Sequence, residues 1–255
     1  MRLFWASARF QALKLRHSLD DLMVLVTLPL FTIAFMAIVT EAGRFDLAPY
    51  AVVGTGIMAI WSIALFVSGE IIDSERWNGT LDATVAAPAS LATIVLGRIA
   101  VVTLISLFGL AESAFAAWAV FGVWVQVHHV GVFLLTLACT FFAMVGTAMI
   151  MSGFFVLARS AVQFQNSMSY PFYVLGGVFV PVAVLPGWLQ PVSKVVFLSW
   201  AADLLRDCLQ PAPVTQVLLR LGIILLLGAV AMAIGYVLIR RVLHRVRHQG
   251  TVSFT

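Results

Sequence analysis

An all-α integral membrane fold with six transmembrane helices follows from composition, from the spacing of charge and from length. Of 255 residues, 62% are hydrophobic, and 26 (15 basic plus 11 acidic) carry charge. That is 10% charged, against about 25% in soluble domains. A water-soluble fold of this size cannot hide so much apolar surface, and disordered chains are polar and charged. The charges also fall in short islands between apolar runs, each near the ~20 residues a helix needs to cross the ~30 Å hydrocarbon layer. Six such crossings use roughly 120 residues, which leaves no room for a large aqueous domain. Residues 1–255 read as one membrane domain without repeat, linker or low-complexity tract.

Residues 1–21 read as an amphipathic interfacial helix. At 100° per residue, Phe4, Ala8, Leu15, Leu19 and Leu22 share one face, while Arg2, Arg9 and Arg16 recur every seven residues on another. Such a helix lies in the headgroup layer, basic side to the lipid phosphates. It is not a signal peptide, because the apolar run behind it is too long and no small-residue cleavage site follows. Crossings are expected at 22–40, 50–72, within 91–125, at 130–157, at about 162–180 and at 214–239. With both termini cytoplasmic, eleven basic residues fall inside (Arg2, Arg9, Lys14, Arg16, Arg76, Arg98, Arg159, Arg240, Arg241, Arg245 and Arg247). Four (Arg44, Lys194, Arg206 and Arg220) fall outside. The bias fits the positive-inside rule, and an even number of crossings agrees with it.

Several chemistries find no support. Neither lysine, Lys14 nor Lys194, follows a glycine, so the chain has no G-K-[ST] phosphate loop of its own. Cys139 and Cys208 do not form a disulfide framework. His128 and His129 are adjacent, not at the i, i+4 spacing of a metal pair, and read as polar loop residues. Asp203 and Asp207, beside Arg206, read as a solvated helix face. The sequon Asn78-Gly79-Thr80 falls on the cytoplasmic side and is discounted. No catalytic or metal constellation emerges, and an intramembrane enzyme is a distant alternative. Nothing points to nucleic acid.

The cytoplasmic segment 73–90 is the most informative stretch. Asn78-Gly79 breaks the preceding helix, Thr80 is a candidate N-cap, and Asp82 suits the positive end of a helix dipole. Leu81, Val85 and the alanines make a short, smooth helix that Pro88 ends and Ser90 follows as the next cap. By composition it is either a docking knob or an ordinary amphipathic loop.

Glu75-Arg76, Gly79-Thr80-Leu81-Asp82 and Pro88-Ala89-Ser90 together resemble the signature of ABC-2 type permeases, which carries E-R, G-T-L-E and P-x-S at this spacing. The family's outline matches in order: an amphipathic N-terminal helix, six crossings, and a proline-rich re-entrant hairpin after the fifth. Here that hairpin is 181–200, followed by Ala202-Asp203-Leu204-Leu205-Arg206. Asp82 in place of the usual Glu, and Trp77 before the turn, are departures that bear on docking geometry. The resemblance implies the permease subunit of a bacterial inner-membrane exporter. It implies two copies of a separate ABC ATPase, which carry the ATP and Mg, and a second permease chain in a homodimer or heterodimer. Docking would fall to Glu75, Arg76, Gly79, Thr80, Leu81, Asp82 and Pro88. The glycine-threonine motif is more like the drug and antibiotic branch, whose cargo is amphiphilic, than the lipid-linked polysaccharide exporters.

Polar residues inside the membrane are costly and often functional. Glu112 stands 14 residues past Arg98, roughly 21 Å along a helix. It is either a contact for substrate or the outer gate, or a structural carboxylate. The fifth crossing opens with Gln163, Asn166 and Tyr170 before Pro171, and these should face the protein interior, as path or as inter-helix glue. Pro171 and Gly176-Gly177 loosen that helix. The resemblance implies a conduit between the first, second and fifth crossings of two subunits, with Phe31, Phe35, Phe172 and Tyr173 as apolar walls. Segment 181–200 is too apolar for an exposed loop and too rich in proline for a crossing. It should re-enter the outer leaflet, with Trp188 and Trp200 at interface depth.

Overall fold

The computed structural model describes residues 2–17, 19–77, 79, 91–157, 161–179 and 181–249, with side chains outside the described set at 16–28, 66–67, 69–78, 91, 155–166 and 242–249. Among the described residues the regular structure is all helical. The helices are α1 (Arg2–His17), α2 (Leu19–Glu41), α3 (Ala48–Trp77), α4 (Leu91–Ser106), α5 (Phe108–Phe121), α6 (Val130–Leu157), α7 (Ala161–Leu175), α8 (Gln190–Ser193), α9 (Phe197–Asp207) and α10 (Val217–Gln249). Short 3-10 turns at Phe45–Leu47 and Val182–Val184 complete the path.

Four stretches are long and apolar enough to cross a membrane: Phe45–Leu65, Ala92–Phe121, Val130–Phe154 and Val217–Arg241. They carry the second, third, fourth and sixth expected crossings. The expected first lies on α2, of which Pro29–Glu41 forms a shorter apolar helix among the described side chains. The expected fifth falls on α7, whose 15 residues span roughly 22 Å at 1.5 Å each. The third is interrupted at Leu107 between α4 and α5, where the Ser106 hydroxyl donates back to the Thr103 carbonyl at 2.8 Å.

Helices in lipid gain little from burying apolar surface against one another, so close backbone approach at small residues does much of the work. The seam between α6 and α10 follows that rule. A Cβ added to Gly146 would lie 2.6 Å from the Gly228 carbonyl oxygen, and one on Gly235 would lie 2.7 Å from Met149 Cβ. Gly153 meets Leu238 in the same way. Contacts ascend together along both helices, so α6 and α10 are parallel. The chain between them must therefore return across the thickness of the molecule. Helix α3 runs antiparallel to α5, with Gly56 against Leu110 and Ala59 against Gly109.

Helix α1 packs across α4. Ser7, Ala8 and Gln11 are buried, and Gly97 accepts the α1 backbone at Phe4. Arg98, buried, donates from Nε to Gln11 Oε1 at 3.0 Å and stacks over Phe10 at 5.0 Å. The regular face of Phe4, Ala8 and Leu15 thus turns partly to protein, while Trp5, Phe10 and Leu13 remain exposed. Helix α3 ends at Trp77 and Gly79 takes φ +65°, as Asn78-Gly79 predicts.

Candidate functional site

Along α3, residues 50, 51, 54, 55 and 58 recur at helical spacing and so share one face, with Leu47 just ahead of the helix. That face, with Phe35 and Val39 of α2 and with Val178, Phe179 and Pro181 after α7, lines a half-open cavity of about 470 Å³. The size suits a small organic ligand. Two local features build it. Helix α7 stops in a Schellman turn: the Gly177 N–H donates to Val174 O at 3.1 Å and the Val178 N–H to Tyr173 O at 3.0 Å, with Gly177 at φ +65°. This turns Val178 and Phe179 towards α3. Gly54 then admits them, since a Cβ there would stand 2.6 Å from the Val178 oxygen.

The lining is largely apolar and aromatic, with few polar groups. Thr32 Oγ1 donates to Thr55 Oγ1 at 2.9 Å, and Thr55 donates to the Ala51 carbonyl at 2.8 Å. Asp46 lines the cavity and is exposed. It forms an ion pair with Arg44 at 2.9 Å. One turn further along α3 the seam with α7 is closed. Trp61 stacks on Phe172 with centroids 4.6 Å apart, and Ser62 Oγ shares a 2.6 Å hydrogen bond with the Tyr173 hydroxyl. Phe179 meets both Tyr173 (5.5 Å) and Phe35 (5.9 Å). The arrangement offers aromatic faces, a few hydroxyls and a sealed inner end.

The structure unites some of the sequence-predicted residues and separates others. Phe35 lines the cavity; Phe172 and Tyr173 form the seal. Tyr170 is exposed, its ring 6.5 Å from Tyr173, and Phe31 is exposed on α2. Glu112 stands apart on α5, with Oε2 buried and without a hydrogen-bond partner among the described residues. Thr80, Leu81, Asp82 and Pro88 lie outside the described residues, as do the side chains of Glu75, Arg76, Gln163 and Asn166. Tyr50, Gly54, Thr55 and Trp61 were not singled out, because inside a uniformly apolar run nothing marks which face meets α7.

The expected solvated face on α9 holds for the Asp203 and Asp207 side chains, 44% and 39% exposed, but not for the arginine between them. Arg206 is 3% exposed, because α9 lies among α3, α6 and α10. Burial raises the Asp203 carboxyl above its ordinary value despite Arg206 nearby, and Asp207 pairs with Arg220 of α10. His128 and His129 are structural: their backbone N–H groups donate to Cys208 O, and their rings reach the Leu209 and Ala212 carbonyls.

These features define a multi-pass α-helical membrane protein with a ligand-sized cavity between its described helices. The profile of the family described as ABC-2 type transporter matches residues 4–209, from α1 to just past α9, and the chain belongs to this family of transporter permeases. It is also similar to Nodulation protein J of Rhizobium meliloti (strain 1021), with 27% identity over 167 residues, 65% of this chain. The chain covers 63% of that relative's length.

Proposed function

We propose that the chain is the membrane-spanning subunit of an ATP-driven exporter. It moves an amphiphilic compound (drug, antibiotic, peptide or lipid-like) outward across a bacterial inner membrane. The observation that carries this reading is the apolar cavity between α2, α3 and the end of α7, sealed at its inner end by Trp61·Phe172 and Ser62·Tyr173. A cavity closed at that end by stacked rings and one hydrogen bond suits a path that opens in turn rather than a pore. The chain spans the membrane six times with both termini cytoplasmic. Parallel packing of α6 and α10 supports an α7 crossing between them. Segment 181–200 re-enters the outer leaflet, and the compactness of that stretch supports this, with Gln190 Nε2 donating to Leu185 O and Trp200 Nε1 to Lys194 O.

Two ABC ATPase subunits, carrying ATP and Mg, dock on segment 73–90 through Glu75, Arg76, Gly79, Thr80, Leu81, Asp82 and Pro88. A second permease chain, identical or related, sits against the exposed α2 and α7 side where Phe31 and Tyr170 point outward. Gln163 and Asn166 line the path beside it. Export of a lipid-linked polysaccharide is the alternative within this class, and its lipid part would occupy the same apolar lining. Ala51→Trp, which fills the cavity, tests the assignment. Efflux of fluorescent amphiphiles from cells should fall to the level of cells without the chain, with membrane insertion unchanged. Efflux that survives this substitution contradicts the assignment.

A further inference from the structure

One guanidinium outside the cavity touches two of its walls. Arg206 Nη2 donates to the Val178 carbonyl at 3.0 Å, and Cζ stands 5.1 Å over the Tyr50 ring. Val178 follows α7 and Tyr50 opens α3, so a single side chain of α9 joins the two walls of the cavity. Gly54 makes the approach possible: a Cβ there would sit 2.6 Å from the Val178 oxygen and 3.9 Å from Nη2.

The two sides of this junction are anchored unequally. Helix α9 is fixed to α10 by Asp207–Arg220, and its C-terminal carbonyls hold His128 and His129. The Val178 side follows the Gly177 turn, behind a helix that contains Pro171, and is held by packing, with Gly176 on Leu198 and Phe179 on Phe35 and Tyr173. The cation itself is weakly compensated. Asp203 Oδ1 lies 3.8 Å from Nη1, and Nε and Nη1 are buried without a hydrogen-bond partner among the described residues. Burying a charge in this way is costly, and water would satisfy the spare donors if the junction opened.

We propose that Arg206 is a latch. It is a positioning residue that holds the segment after α7 against α3 and keeps the inner end of the cavity, at Thr55 and Met58, closed to water, and that end opens when the bond to Val178 is released. This deepens the reading of the cavity as part of a transport path, but its test does not need transport.

The full chain in detergent carries Met58→Cys, at the inner end of the cavity lining, as a reporter for a water-soluble maleimide. The native thiols give a low baseline: Cys139 and Cys208 are buried, and burial together with Asp207 pushes the Cys208 thiol up to about 11. Arg206→Met should speed reporter labelling roughly tenfold, the population shift expected from losing one charge-assisted hydrogen bond. Arg206→Lys should restore part of the closure. Tyr50→Leu should act in the same direction and add nothing on top of Arg206→Met. Cys139 and Cys208 should stay unlabelled throughout, which separates opening from general unfolding.

Unchanged reporter labelling in a monodisperse Arg206→Met chain overturns the latch, as does labelling of all three cysteines together. If that variant aggregates, Tyr50→Leu decides alone, and an unchanged rate there overturns it as well. Failure of the efflux test on Ala51→Trp would remove the transport path and leave these labelling results standing.

Discussion

Trp61 is fully buried and stacked on Phe172, yet its indole nitrogen has no hydrogen-bond acceptor among the described residues. The ring therefore matters more than its polar edge. Trp61→Ala should destabilise by about 3–5 kcal/mol, as expected for deleting a buried aromatic, whereas Trp61→Phe removes an unsatisfied donor and keeps a stacked ring. Thermal unfolding of the detergent-solubilised chain should show a much smaller shift for Phe than for Ala. Equal shifts would mean that stacking is not what closes the seam. Tyr173→Phe, which removes the Ser62 bond, should cost about 0.5–1.5 kcal/mol. Individual residues were the least legible part of the site in the sequence. Phe35, Phe172 and Tyr173 were expected as walls because they are aromatic on the implied path. Trp61, Tyr50 and Gly54 lie in an unbroken apolar run that carries no mark of its packed face. Arg206 read as solvated because its burial depends on helices far away in sequence.

At the scale of elements, the sequence announces where helices stop better than how they pack. Asn78-Gly79 ends α3 as expected, and the charged islands bound four apolar spans. The interruption at Leu107 was not foreseen, since neither proline nor glycine occupies residues 106–108 and the cue is a serine bonding its own backbone. The packing of α1 on α4 was also illegible, because an apolar helix face reads the same whether lipid or protein covers it. The α6–α10 seam gives a clean test. Gly228→Leu would drive a side chain into Ala143, while Gly222, on the same helix, has nothing within 4 Å of an added Cβ. Overpacking of this kind costs about 1–3 kcal/mol or more. Gly228→Leu should therefore lower the thermal midpoint clearly and Gly222→Leu should leave it nearly unchanged. Similar losses at both positions would contradict the parallel seam.

For the whole molecule, family and general architecture follow from the ordered motifs and the apolar composition, and the family match over residues 4–209 agrees. The proposed function makes this chain dependent on a separate ATPase. Segment 73–90 is where that dependence would reside. The direct measurement is a pull-down of the tagged full chain from mild detergent, with co-purifying proteins identified by mass, beside a Leu81→Arg variant. A stoichiometric ATPase bearing a phosphate-binding loop should co-purify with the unaltered chain and be lost with Leu81→Arg, although the variant still inserts in the membrane. A chain that purifies with no nucleotide-binding partner, or an ATPase retained equally by both, would contradict this dependence.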